Sequence, residues 1–227
     1  MWFKTLAGAV LLEQELAELE RILPGIPGQM AIQLGGIQEI SFLKNCAMSK
    51  LYFASQQISH QCVKTSIQCD YENLPFESNS VSLIILPHTL EFCTCPAQLL
   101  REIYRVLLPG GRLVILEFNR WSLWSWVYPG SGRFYSIWNV KKWLNESGYV
   151  EIFNKSFFFL GAAKKTFNAR LLKFSDVLGQ IFTPKMGAVY LIYAQKKMTG
   201  STPIVSLWTN KTVPLGQSIT PTTRVSG

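Results

Sequence analysis

The sequence predicts an α/β chain built on a mostly parallel sheet. Val81–Leu86 and Leu113–Phe118 are nearly continuous apolar runs of strand length, as strands buried on both faces require. Between them, Pro96–Leu107 repeats apolar residues at helical spacing and is long enough for a crossover. A Pro109-Gly110-Gly111 turn then separates this helix from the second strand.

The other elements follow in chain order. Residues 5–23 have helical periodicity in Leu6, Val10, Leu12, Leu16, Leu19 and Leu23, ended by Pro24, Gly25, Pro27 and Gly28. Met30–Leu34 is a short apolar strand running into Gly35-Gly36. Lys50–Ala54 is a second strand with a poor pattern, and Val63–Cys69 a third. Trp138–Ser147 reads as a helix closed by Gly148, and Tyr149–Phe159 and Ala188–Gln195 as the sixth and seventh strands. Between those two, Thr166–Phe182 is an amphipathic helix with Phe167, Leu171, Phe174 and Leu178 on one side. From Met198 the chain is rich in Thr, Ser and Pro and reads as a flexible tail.

With 227 residues and 48% apolar content, the chain can bury one sizeable core. The apolar piece Leu6–Leu12 is too short to span a membrane, and Glu13, Glu15, Glu18 and Glu20 follow it. It lacks the small-residue cleavage site of a signal peptide. The five cysteines form no CxxC pair, and Cys93 and Cys95 are too close for an ordinary disulfide. Reduced thiols in the cytoplasm are the expectation. The only two histidines are His60 and His88, and their spacing to the cysteines fits no zinc pattern, so no metal site is expected.

Charge is uneven. Residues 1–118 hold 8 Lys/Arg against 11 Asp/Glu, whereas residues 119–197 hold 12 against 3. An anionic substrate, an acidic carrier protein, peripheral contact with an anionic membrane, or a solvated basic surface would each account for the second block. Nucleic acid is disfavoured, because the basic residues are scattered and match no known module.

Asp70, Leu74-Pro75-Phe76, Leu86-Pro87-His88, the helix residues Leu99, Leu100, Glu102, Arg105, Val106 and Leu107, and Pro109-Gly110-Gly111 together resemble the class I S-adenosylmethionine-dependent methyltransferases. They resemble the branch with a D-x-x-x-LPF segment and an RVLxPGGxL turn, over roughly residues 30 to 160. Phe118–Trp124 is similar to the FNPWSLWG stretch of a bacterial group in that superfamily, with Arg120 in place of Pro. The resemblance implies a Rossmann-like, doubly wound, mostly parallel seven-stranded sheet with an antiparallel final strand. The domain would cover 1–197, with 1–28 as an N-terminal cap, 120–137 and 160–187 as insertions on the substrate side, and 198–227 as the tail.

It also implies S-adenosylmethionine as cofactor, held at the carboxyl ends of the strands. The family's acid-x-G-x-G-x-G turn is matched here at Gly35 alone. Gln33 stands for the acid, Ile37 and Glu39 for the other glycines, and Gly36 lies between. Asp70 corresponds to the residue that accepts from the adenine amino group, and Tyr71 would offer its backbone N–H. As a residue in its own right, Asp70 also reads as a turn or cap residue. Leu86, Pro87 and His88 would line the sulfonium and adenosine, with His88 either a base or a hydrogen-bonded wall residue. No acid ends the second strand, so the ribose partner falls to Ser55, Gln56 or Gln57.

Two functions follow. One is methyl transfer to a small or carrier-bound acceptor that is anionic, acyl-bearing or carried by an acidic protein. The other is a non-catalytic descendant that binds a protein or lipid through its basic aromatic face. The aromatics from Trp121 to Trp138 suit either an acyl chain, an interfacial patch or satellite core, with core packing expected for most.

Overall fold

The computed structural model describes residues 6–37, 40–58, 65–122, 132–157 and 187–198. Its strands are β1 (Met30–Leu34), β2 (Lys50–Ser55), β3 (Ser66–Gln68), β4 (Val81–Pro87), β5 (Leu107–Phe118), β6 (Tyr149–Phe157) and β7 (Val189–Lys196). Its α-helices are α1 (Leu6–Ile22), α2 (Pro96–Val106) and α3 (Ile137–Glu146). The strands form one sheet in the order β3-β2-β1-β4-β5-β7-β6. The pairings from β3 through β5 are parallel, and β7 runs antiparallel to both β5 and β6. The chain thus has the seven-stranded Rossmann-like architecture expected, with its antiparallel strand inserted beside β5.

Alternate residues of each central strand feed two cores. Ile32, Leu34, Ile84, Leu86, Leu113 and Ile115 face α2 and α3, meeting Leu99, Ile103, Val140 and Leu144. Ala31, Leu83, Ile85, Val114 and Leu116 face α1, meeting Leu11, Leu19 and Leu23, with Phe42 and Leu43 beside them. Every residue of β4 is buried, which explains its unbroken apolar run.

The local chemistry accounts for most boundaries. Pro96 opens α2 in its first turn, where a missing N–H costs nothing. Ser136 caps α3, its Oγ accepting from Asn139 N at 3.3 Å, and Gly148 leaves the helix at φ +91°.

Two expectations change. The third strand shortens from Val63–Cys69 to Ser66–Gln68, with residues 59–64 outside those described. The Pro109-Gly110-Gly111 segment is an irregularity within β5 rather than a separate turn before it. Leu107 pairs with Val81 and Arg112 with Leu83, so the intervening residues bulge from the ladder, with Gly110 at φ +78°. The helix expected at Thr166–Phe182 and the tail from 199 onward lie outside the described residues.

Lys196 pins the end of the sheet opposite the crevice. Its buried ammonium donates to Asn79 Oδ1, Tyr104 O and Leu107 O at 2.6 to 2.7 Å. Two of these carbonyls close α2, whose C-terminus favours a cation.

Candidate active site

The parallel strands β1, β2, β3 and β4 bring their carboxyl ends to one rim, where the ligand crevice of an open α/β sheet lies. At the end of β1, Gly35 and Gly36 have φ of +72° and +81°. A Cβ on Gly35 would lie 2.7 Å from the Tyr71 hydroxyl and 2.8 Å from Thr89 Oγ1. One on Gly36 would lie 2.5 Å from Pro87 Cγ. Glycine is therefore required twice, for conformation and for space. Thr89 Oγ1 also donates to Leu34 O at 2.5 Å, joining the end of β1 to the segment after β4.

Gln33 is buried in β1, and its amide serves the loop that follows. Oε1 accepts from Phe42 N at 2.9 Å, while Nε2 donates to Ile40 O at 3.0 Å and Gly35 O at 3.4 Å. An amide can both donate and accept here, which a carboxylate cannot. Ile37 is buried beside this loop, and Glu39 lies outside the described residues.

Asp70 is exposed at the end of β3, with Oδ1 accepting from Glu72 N at 3.1 Å in a local turn. Tyr71 is buried. Its hydroxyl is hydrogen-bonded to the Ser55 side chain and the Gln56 backbone, and burial pushes its pKa up to about 12. Thus Tyr71 ties the segment after β3 to the end of β2 and packs close to Gly35, and Ser55, a candidate ribose partner, already has a protein neighbour. The Leu74-Pro75-Phe76 segment is held by Arg105, whose Nη2 donates to Leu74 O and Phe76 O at 3.2 and 3.1 Å. Glu102 in turn accepts from Leu74 N at 3.0 Å and pairs with Arg105 at 2.6 Å.

Leu86 and Pro87 are buried in β4, and His88 follows at φ +53°, unusual for a residue with a side chain. The imidazole is buried with both nitrogens against carboxylates. Nε2 lies 2.8 Å from Glu15 Oε1, and Nδ1 lies 3.2 Å from Glu91 Oε1. Burial alone would lower its pKa, but Glu15 and Glu91 outweigh this and hold it well above the ordinary value. Phe118 lies against the ring at 4.5 Å between centroids. Glu117, at the end of β5, accepts from Leu90 N at 2.7 Å. Burial, then the neighbouring Glu91 carboxylate, raise its pKa well above the usual range.

Glu15 and Glu117 were missed as site residues in the sequence. Glu15 sits in a row of acids that reads as a solvated face, yet it lies four residues from both Leu11 and Leu19, in the buried stripe of α1. Glu117 is the one acid in the apolar run 113–118.

Beyond β5, Trp121 and Trp138 are 65% and 56% exposed, which removes them from the expected core. Phe134 and Tyr135 are half-buried, and Trp124, Trp126 and Tyr128 lie outside the described residues. Part of the basic excess is internally paired: Lys141 with Glu151, Lys142 with Glu146 and Lys155 with Glu18. Among the described residues, no helix is long and apolar enough to cross a membrane.

The site can be tested for S-adenosylmethionine on the glycine turn. Gly35 and Gly36 keep the bare left-handed backbone that such a ligand needs close by, and Gly36 is exposed. Asp70 stands exposed at the next strand end but one. These residues fit the cofactor, with a neutral rather than acidic end to β2.

A methyltransferase-domain family model matches residues 42–115. The uncharacterised protein YafS of Escherichia coli K12 is 28% identical over 178 residues, covering 73% of this chain and 68% of that protein. Demethylmenaquinone methyltransferase of Chlamydia trachomatis is 38% identical over 81 residues, covering 31% of this chain and 35% of the relative. This chain therefore matches only about a third of that enzyme's length. Among solved structures, a Thermotoga maritima S-adenosylmethionine-dependent methyltransferase, described as a possible histamine N-methyltransferase, superposes with TM-score 0.62 at 17% identity, covering 85% of this chain and 92% of that one. The sheet order is that of the S-adenosylmethionine-dependent methyltransferase fold, and the stretch from Phe42 to Ile115 matches a methyltransferase-domain family model.

Proposed function

We propose that the protein transfers the methyl group of S-adenosylmethionine to a small or carrier-bound acceptor received over the carboxyl ends of β4 and β5. The observation that carries this reading is the tight Gly35-Gly36 turn packed on Pro87 and Thr89, at the first strand of the methyltransferase strand order. Gly35 and Gly36 would approach the methionine part with bare backbone, Asp70 and the Tyr71 N–H would meet adenine, and Leu86 and Pro87 would wall the sulfonium.

When bound, the cofactor supplies a methyl group on a sulfonium that is already activated. The protein's task is then to hold the acceptor close and in line. His88 belongs to the wall in this reading, because both ring nitrogens already face carboxylates. Phe118, Phe134 and Tyr135 lie after β4 and along the β5 exit, and they suit an acceptor with a flat or apolar body. The likeness to demethylmenaquinone methyltransferase supports the same acceptor class, a quinol-like ring.

Calorimetry with S-adenosylmethionine and S-adenosylhomocysteine tests the cofactor step. Saturable binding, weakened at least about tenfold by Asp70→Ala (about 1.4 kcal/mol), is expected. No heat at millimolar ligand would refute the transferase reading. Transfer of a labelled methyl group to a demethylated quinol then tests the acceptor class.

A further inference from the structure

Three buried carboxylates and an imidazole meet where β4 and β5 end. His88, Glu91 and Glu117 are 5%, 6% and 1% exposed, and one ligand atom from each lies within 4.8 Å of the others. Glu117 Oε1 accepts from Leu90 N, but its Oε2 is buried with no hydrogen-bond partner. Glu15 approaches His88 from α1 with Oε1, and its Oε2 is likewise buried and unpartnered. Buried polar atoms are normally satisfied, so an orphaned oxygen inside a ring of metal-ligating groups calls for an occupant.

We propose that His88, Glu91 and Glu117 form a divalent-metal site, with Glu15 as the carboxylate that orients His88. A proton on Nε2, held by Glu15, leaves the Nδ1 lone pair directed toward Glu91 and its neighbour Glu117. Metal-binding histidines are usually fixed by such a carboxylate behind the ring. The 3.2 Å separation of Nδ1 and Glu91 Oε1 also suits two ligands sharing one ion, since donors about 2.1 Å from a metal lie roughly 3 Å apart.

One imidazole with two carboxylates favours Mn²⁺, Fe²⁺ or Zn²⁺ over Ca²⁺, which takes oxygen ligands throughout. Three protein ligands also match sites that keep a coordination position open. Sequence spacing hides this set, because its carboxylates come from α1, from the turn after β4 and from β5. The site stands on these four residues and does not require the transferase reading.

The experiment is a Mn²⁺ titration of the untagged, chelator-treated full chain, with free ion followed by electron paramagnetic resonance. One saturable Mn²⁺ per chain, displaced by Zn²⁺, is expected. Glu15→Gln should weaken it by about 10- to 100-fold, and Glu117→Gln should abolish it. Thermal melts establish that each variant is folded. Should Glu117→Gln fail to fold, His88→Gln is expected to abolish binding in its place. No saturable binding to the wild type at about 1 mM of either ion, well beyond ordinary site affinities, would overturn the proposal. So would Mn²⁺ binding unchanged in a folded Glu117→Gln or His88→Gln protein.

Discussion

Gly35→Ala tests how tightly the rim is built. The new methyl would lie 2.7 Å from the Tyr71 hydroxyl, 2.8 Å from Thr89 Oγ1 and 2.9 Å from Thr89 Cγ2. None of these neighbours retreats without loss, because Tyr71 is bound to the end of β2 and Thr89 to Leu34 O. Overpacking of this kind costs roughly 1–3 kcal/mol. The left-handed backbone at φ +72° adds about 1–2 kcal/mol for a residue with a Cβ. The sum, about 2–5 kcal/mol, is a large part of a typical stability of about 5–15 kcal/mol. In urea, where the slope is about 1–3 kcal/mol per molar, the midpoint should fall by on the order of 1–2 M. Tyr71→Phe alone should cost about 1 kcal/mol for its lost hydrogen bonds. The double variant should be less destabilised than the two losses added, by about 0.5 kcal/mol or more, because the closest contact is gone. A loss below about 1 kcal/mol for Gly35→Ala, or simple additivity with Tyr71→Phe, would refute the packing argument.

Three further outcomes are expected. Gln33→Ala should cost about 1–3 kcal/mol by stranding Phe42 N and Ile40 O, and hydrogen exchange should quicken across residues 35–42; unchanged exchange there would oppose a bracing role. Lys196→Met should cost about 3–5 kcal/mol by removing the donor to three acceptors at the far end of the sheet, while calorimetry finds cofactor affinity unaltered. Arg105 hydrogen-bonds Glu102 and holds its carboxyl below the ordinary value of 4.5, so the folded state binds fewer protons there than the unfolded chain. That contribution is present above the unfolded pKa and is lost as pH falls through the folded one. Glu102→Gln should therefore flatten the acid limb of a stability-versus-pH curve, and an unchanged slope would contradict the assignment.

Much of the fold was legible because the central strands are buried on both faces. Met30–Leu34 matched its observed limits, and Val81–Leu86 gained only Pro87. The third strand was harder to read because an edge strand of three residues buries too little to impose a pattern. Pro109-Gly110-Gly111 signalled a break correctly, but whether it becomes a loop or a bulge depends on pairing with β4, which is non-local. At the site, Gly35-Gly36 and Asp70 could be located from strand ends and motif order. The buried cluster could not. Glu15 and His88 are 73 residues apart in sequence, and nothing in a helical row of acids marks which one turns inward until the helix is docked. The work of Gln33 was hidden for a related reason, since its partners belong to the irregular segment that follows.

His88 reaches Glu15 on the α1 side of the sheet while Glu91 and Glu117 gather around it from the turn after β4 and from β5. The ring therefore works as a rivet through the rim, and the two helical layers are not energetically independent there. Substitutions on α1 near Glu15 and on the strand ends near Glu117 should show coupling even where their side chains never touch. A history of compensating changes in this chain would then be expected to run across the sheet rather than within either layer.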